Sequence, residues 1–419
     1  MDQPSSAAAM KPHVEPGPHA GMGFREFVAL IAAMMATNAL AIDTMLPALP
    51  AIGGTLGVTD ENARQWIVTA FLLGFGGAQI LYGPLSDRFG RRPILLIGLG
   101  CYALFGAGTA MTPSFEMLLL FRVLQGIAVA ATRVVTVSVV RDCYGGRQMA
   151  RVMSLAFIIF IAVPVLAPTI GQLIMLIFPW RGLFWALSAY GAIVFLWMLL
   201  RLPETLHPEY RRPFALGQLA EAFRAALSNR QAVGYMLAQT AITGALFGFI
   251  NSVQQIFSDV FHAPRLMPGT FAGIAGMIAI ASMLNARIVE RLGTRRVSHS
   301  ALLGFVAIEL VHAAIALGGH ETLLSFAIAQ GLTMFCFGLT VGNFGAMAME
   351  PLARIAGMAA SVQGFVSTVI GALVGFAIGQ HFNGTTVPMT LGFAGAGLTA
   401  LAIVLITERG RLFRPQMGR

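Results

Sequence analysis

A charged side chain inside an apolar run of membrane-spanning length is the first thing to weigh in this sequence, because holding it in hydrocarbon costs several kcal/mol and marks function by default. Asp43 lies in the run 24–46, Arg122 and Arg133 in 114–140, and Glu309 and His312 in 297–317. As helices, Asp43 sits roughly 24 Å from the start of its run and Arg122 roughly 12 Å from the start of its own. The two runs cross in opposite directions, so the groups fall at comparable depth. Paired, each lowers the burial cost of the other, and a proton on Asp43 would release Arg122. That is a carboxylate–guanidinium proton switch. A static structural pair is a second reading, and an Asp43 wetted at the helix mouth, with Pro47 four residues on, is a third.

Arg133 follows Arg122 by eleven residues, which leaves the two about 20° apart around a helix and about 16 Å apart in depth. Gln125 falls within about 60° of the same face. A stripe of Arg122, Gln125 and Arg133 faces a cavity better than it faces lipid. There Arg133 could hold an anionic or carbonyl-bearing solute, pair with a carboxylate, or snorkel to the nearer surface. Glu309 and His312, three residues apart, form either a proton relay or a pair that satisfies itself. Asn38, Gln239, Gln254, Gln330 and Asn343 are polar positions in apolar runs, each as suited to gluing helices together as to touching a ligand. Asn38 and Asp43 point about 140° apart, so at most one faces a cavity centre. The candidate solute contacts are therefore Asn38, Gln125, Arg133, Gln239 and Gln330, and the candidate proton-coupling pair is Asp43 and Arg122.

The elements that must position these residues follow from composition. The 419 residues are 57% hydrophobic and 11% charged, with mean hydropathy +0.76, where a soluble domain carries about 25% charge. The solvent for most of the chain is lipid. Twelve runs are long enough to span it: 24–46, 61–82, 93–111, 114–140, 149–178, 182–202, 230–260, 267–289, 297–317, 321–349, 352–380 and 386–406. The net charge of +9 and pI near 10.3 do not point to nucleic acid, because the basic residues are sorted by side. Only Arg64, Arg181 and Arg265 fall outside, with Arg122 and Arg133 within a run; the rest lie on the side expected to be cytoplasmic. Both termini belong there, and anionic lipid headgroups are the partner of that surface. Residues 1–23 lack the pattern of a cleaved signal and read as a flexible tail; 409–419 form a basic tail. Cys101, Cys143 and Cys336 are dispersed and suggest neither a disulfide framework nor a metal site. No cofactor is expected.

The longest polar connection, 203–229, divides the chain into six-run halves, 24–202 and 230–408. Within it Leu216, Leu219, Phe223 and Leu227 recur at helical spacing opposite Glu221 and Arg224, as in an amphipathic helix on a membrane face. The halves echo one another: Arg88 and Gly90 in Arg291 and Gly293, with Glu290 for Asp87; Phe121…Gln125-Gly126 in Phe326…Gln330-Gly331; Ala150-Arg151-Val152 in Ala353-Arg354-Ile355. Between the second and third runs stands Gly83-Pro84-Leu85-Ser86-Asp87-Arg88-Phe89-Gly90-Arg91-Arg92-Pro93. Gly83 lets a neighbour approach, Gly90 permits a turn, and Pro93 suits a first helical turn. Pro164 and Pro168 free backbone carbonyls and bend the fifth run, while Gly171 allows close contact.

The spacing G-x-L-x-D-R-x-G-R-R-P between two spans resembles the signature of the major facilitator superfamily. Asp43-Thr44-Met45-Leu46-Pro47-Ala48-Leu49-Pro50, Arg122-Val123-Leu124-Gln125-Gly126, Ala167-Pro168-Thr169-Ile170-Gly171 and Leu202-Pro203-Glu204-Thr205-Leu206 together look like its twelve-helix drug:proton antiporters, in the bicyclomycin/chloramphenicol-resistance branch. The resemblance covers roughly 24–408. It implies an all-α fold of two pseudo-symmetric six-helix halves and export of small, largely apolar drug-like compounds in exchange for protons. The location implied is a bacterial inner membrane. Asp43 and Arg122 would couple protons. Gly83, Asp87, Arg88, Gly90, Arg91, Arg141, Asp142, Pro164, Pro168 and Gly171 would gate the conformational cycle. Ala167 and Gln172 stand where glycines are usual in the antiporter motif of the fifth helix. The partners expected are solute, protons and lipid, with the protein a monomer. A sugar or other metabolite carrier on the same scaffold is the alternative. Enzyme and ATP-driven readings lack their motifs, H-E-x-x-H, G-x-S-x-G and G-x-x-x-x-G-K-[ST].

Overall fold

The computed structural model describes residues 22–211 and 216–413. Among these residues there is no strand, and twelve helices are long and apolar enough to cross a membrane. The first span is broken. Helix α1 (Phe24–Asp43) gives way to a 3-10 turn at Leu46–Ala48 and to the short α2 (Leu49–Thr55). Pro47 cannot supply the N–H that the Asp43 carbonyl would take in a continuous helix, which weakens the helix at this point. The remaining helices of the first half are α3 (Trp66–Phe89), α4 (Arg91–Met111), α5 (Phe115–Cys143), α6 (Gly146–Ile177) and α7 (Arg181–Arg201). The amphipathic helix expected in the linker is α8 (Leu216–Ser228). Its Phe223 ring meets Phe365 at 6.1 Å, so that side chain sits on the bundle; Leu227 is exposed. The second half is α9 (Arg230–Gln255), α10 (Met267–Leu292), α11 (Thr294–Leu317), α12 (Leu323–Met349), α13 (Ala356–Gln380) and α14 (Val387–Thr407).

Starts are capped where the sequence supplies an acceptor. The Ser114 hydroxyl takes the Met117 N–H, the Asn229 side chain takes that of Ala232, and Thr322 and Ser325 bond reciprocally. Within the first half α5 packs on α3, α4 and α1, and α7 on α4; within the second α9 packs on α12, α13 and α14, and α11 on α12 and α14. The halves meet chiefly where α3 lies along α13 and α6 along α10. Successive crossings bring the described ends of the chain and the turns at Gly90 and Gly293 to one end of the bundle, called here the terminal end. The connections near 44–65, 256–266, 318–322 and 381–386 lie at the other, the distal end.

The segment 83–93 between the second and third spans is mostly helix. Helix α3 continues through Pro84 to Phe89, and the reversal is made by Gly90 alone, at φ +102°. Gly293 does the same at φ +83° in the second half. Only glycine visits that backbone region freely. Helix α6 likewise runs unbroken through Pro164 and Pro168.

Candidate functional site

Asp43 is the last residue of α1, 5% exposed, and makes no hydrogen bond or ion pair among the described residues. The carbonyls around it are orphaned by the break, as at any helix end, and two neighbours deal with them. Arg122 Nη2 donates to the Ala41 carbonyl at 3.0 Å. Gly171 of α6 lies flat on the Thr44 carbonyl, where an added Cβ would come within 1.9 Å. Broken helix, arginine and close-packed glycine thus converge on one carboxyl group.

Arg122 is completely buried. Besides Ala41 it donates from Nε to the Ile67 carbonyl at 3.2 Å and from Nη1 to Gln125 Oε1 at 2.7 Å, and its guanidinium lies 4.3 Å from the Phe71 ring centroid. It therefore ties α1, α3 and α5 together. The expected salt bridge to Asp43 does not form. Arg122 meets α1 at Ala41, and two residues at about 100° each turn the Asp43 side chain to another side of that helix. The carbonyls freed by the break supply acceptors that leave the guanidinium satisfied without an anion.

The stripe along α5 divides. Gln125 is fully buried, with Oε1 on Arg122 and Nε2 without a partner. Arg133 is exposed. On α5 it points between the faces that meet α1, through Arg122 and Thr136, and α3, through Gly126 against Phe71. Asn38 is half-buried with an unpartnered Oδ1. Gln239, also half-buried, accepts from Gln363 of α13 at 2.6 Å. Gln330 is fully buried, so with Gln125 it is closed to a solute in this conformation. Gln254 donates to Ser258, and Asn343 exchanges hydrogen bonds with Asn285, so both act as glue.

At the terminal end Arg91, 3% exposed, is a hub. It donates to Asp87 at 2.5 Å, Asp142 at 3.0 Å and the Ser86 hydroxyl at 2.7 Å. Asp87, Arg91 and Asp142 thus come together as expected. Arg88 and Arg141 do not join them: Arg88 stacks on its neighbour Phe89 at 5.1 Å, and Arg141 is exposed, with no ion pair among the described residues. Each stands about 100° around its helix from the aspartate that Arg91 holds. Gly83 faces the Ser361 hydroxyl rather than a backbone.

Sequence reasoning gave no role to Glu204. Its carboxylate accepts from the N–H groups of Arg91 and Arg92 at 2.9 and 3.2 Å and lies where a Cβ on Gly90 would fall. It is an anion at a helix N-terminus, the favourable end of the dipole. Glu408 is its counterpart 204 positions on, accepting from Arg295 at 2.9 Å and from Tyr235. The repeat therefore extends to the last residues of both halves.

The distal end holds a set of amides that no motif signals. Gln65, 1% exposed, donates to Gln255 Oε1 at 2.7 Å and to the Gly379 carbonyl at 3.0 Å. Gln255 donates to Asn62, Asn62 to the carbonyls of Gln380 and Phe382, and Gln380 back to Asn62 and Gln65. This clasp joins residues 62–65 of the first half to 255 and 379–382 of the second. The amides themselves carry no charge, although Asp259 of the second half faces Glu61 and Arg64 of the first beside them. A cleft of about 210 Å³ lies between the halves nearby, bordered by Pro47, Gln172, Gln254 and Arg265.

Comparison with known proteins agrees with this architecture. The chain is 30% identical to a bicyclomycin resistance protein homolog of Haemophilus influenzae, over 88% of this chain and 92% of that one. It is 31% identical to the multidrug resistance protein MdtL of Shewanella oneidensis, over 79% and 83%. Among solved structures a D-xylose–proton symporter matches with TM-score 0.70 at 14% identity, covering 93% of this chain and 98% of that one. The human organic anion transporter MFSD10 matches with TM-score 0.65 at 18% identity, covering 91% and 99%. These last two share the fold. The Major Facilitator Superfamily family model matches residues 30–379, and with twelve membrane-length helices and hinges repeated in both halves, the chain belongs to that superfamily.

Proposed function

We propose that this multi-pass membrane protein is a proton-coupled exporter of small, largely apolar drug-like compounds, working by alternating access between its halves. The observation that carries the proposal is Asp43, a buried carboxyl without a partner at the break of α1. A group so placed stores a proton more readily than a charge. Its surroundings turn that choice into movement, because Arg122 holds the last turn of α1 and Gly171 wedges α6 on the next residue. Arg122 acts as a positioning residue that fixes the break where Asp43 is read. The resistance functions named for the relatives support drug-like compounds as cargo.

The sorting of arginines puts the terminal end in the cytoplasm of a bacterial cell and the distal end outside its inner membrane. The amide clasp then closes the outside. Arg133, Asn38 and Gln239 offer the polar contacts of a solute path entered from within. Asp87, Arg91 and Asp142 brace the cytoplasmic end of the first half. The functional unit is one chain, in contact with lipid.

The test is drug-susceptibility profiling of a sensitive bacterial host with and without the protein, beside Asp43→Asn. Expression raises resistance to several apolar antibiotics; Asp43→Asn reaches the membrane at normal levels and confers none. Resistance undiminished in that variant would remove Asp43 from the mechanism.

A further inference from the structure

A second buried ionisable cluster lies in the other half. Glu309 and His312 of α11 are 0% and 1% exposed. Glu309 Oε1 accepts from the Thr333 hydroxyl of α12 at 2.5 Å, and Oε2 faces His312 Nδ1 at 3.5 Å, with neither atom in a hydrogen bond. His312 Nε2 lies 2.5 Å from Oε1 of Glu321, whose other oxygen accepts from Thr386. Glu309 and His312 therefore do not simply satisfy each other, since Glu321 completes a row of three. Glu321 belongs to the distal connection, beside the exposed Gly318, Gly319 and His320.

Gln330 adds an independent sign. It is fully buried, with both amide atoms unpartnered. It stands within about 60° of Thr333 and Phe326 on α12; Thr333 holds Glu309, and the Phe326 ring meets that of His312 at 5.8 Å. Its repeat partner Gln125 binds Arg122, but the position matching Arg122 is Ala327. The other side chains in contact, Thr333, Phe326 and Thr386, are neutral, and among the described residues no Lys or Arg lies within 4 Å of either carboxylate. Two carboxylates facing one imidazole, with spare hydrogen-bonding atoms, are placed to hand a proton along the row.

We propose that Glu321, His312 and Glu309 form a proton path from the distal surface into the second half, ending at Glu309 as a proton-binding site separate from Asp43. A proton on Glu321 Oε1 passes to His312 Nε2 while the proton on Nδ1 passes to Glu309 Oε2. One proton moves inward, no bond other than N–H and O–H changes, and the imidazole ends in its other tautomer. The part of this path in transport rests on the exporter reading above; its existence does not.

Infrared spectroscopy of the purified protein tests it. A protonated-carboxyl band should vanish in Glu309→Gln, and its deuterium shift on transfer to heavy water should slow by about 10²-fold in His312→Phe and Glu321→Gln, the usual size of a positioned proton relay. Thermal melting checks that each variant is folded, and Glu309→Asp should restore a carboxyl band if Glu309→Gln does not fold. Exchange in His312→Phe and Glu321→Gln as fast as in the parent, or, in an Asp43→Asn background that removes the other buried carboxyl, a band that survives Glu309→Gln, overturns the proposal. Asp43→Asn should leave the Glu309 band and its exchange intact. Resistance retained in Asp43→Asn would fail the exporter mechanism without touching this result.

Discussion

Removing Gln65 should loosen the distal clasp by an amount the structure allows one to work out. Gln65 makes three hydrogen bonds across the boundary between halves, donating to Gln255 and the Gly379 carbonyl and accepting from Gln380 at 3.1 Å. When the distal end opens, these groups exchange each other for water, so each bond is worth about 0.5–1.5 kcal/mol net. Gln65→Ala then favours opening by about 1.5–4.5 kcal/mol, or roughly 10- to 10³-fold in population at tenfold per 1.4 kcal/mol. Asn251 gives the readout. It lies under the clasp, 1% exposed, against Gly379, with both amide atoms unpartnered, so a cysteine is tolerated there. In a background with Cys101, Cys143 and Cys336 changed to Ser, a membrane-impermeant maleimide should label Asn251→Cys from the distal side at least tenfold faster when Gln65→Ala is added. Labelling within about twofold of the parent would show that the amides do not hold the halves together there, since the lower end of the worked range is already tenfold.

Glu204→Ala should lower stability by about 1–3 kcal/mol through loss of a charge-assisted acceptor for two helix N–H groups, with Glu204→Gln losing less; thermal melting in detergent measures both. Gly126→Ala puts a Cβ 2.1 Å from the Phe71 carbonyl and should cost about 1–3 kcal/mol of overpacking, whereas Gly54→Ala, with open space around it, should be neutral or stabilising in the same melt. Arg91→Ala leaves Asp142 without its guanidinium and should impair both stability and transport, while Arg141→Ala should stay within about 0.5 kcal/mol of the parent; equal effects would refute the assignment of Arg91 as the hub.

What could be read from residue order alone follows the range of each signal. Spans and the linker helix are set by local hydropathy, and the structure has a helix for each of them, the first two extending well past the ends that hydropathy gave. The turn after α3 was legible because Gly90 needs a backbone region that only glycine enters freely, although the helix before it runs further than Pro84 suggests. Periodicity placed Arg122 and Asp43 at one depth, but depth is only one coordinate. Rotation around α1 decides which atom an arginine reaches, and the break at Pro47 created carbonyl acceptors that no spacing rule counts. The clasp was invisible for a related reason. Asn62, Gln65, Gln255 and Gln380 are ordinary amides, and they acquire meaning only when elements some 190 and 315 positions apart meet.

The two halves show the same limit from another side. Duplication kept the left-handed glycine, Gly90 and Gly293, and an acid near the end of each half, although Glu204 accepts from backbone N–H groups and Glu408 from the side chains of Arg295 and Tyr235. It did not keep the ionisable residues in the interior. The first half holds a lone carboxyl and an arginine bound to carbonyls; the second has an alanine at the arginine position and, on a different helix, two carboxylates joined through an imidazole. The scaffold repeats its turn glycines but not its buried charges, and in the proposed cycle each half then has its own means of holding a proton. The asymmetry has a direct consequence for the cycle. Asp43 sits where a helix is interrupted, so its charge bears on the backbone of α1, whereas Glu309 sits within an unbroken α11 and answers to its neighbours' side chains. Only the first arrangement places a carboxyl against an interrupted backbone, so in the proposed cycle the conformational role falls to Asp43 and proton storage to Glu309.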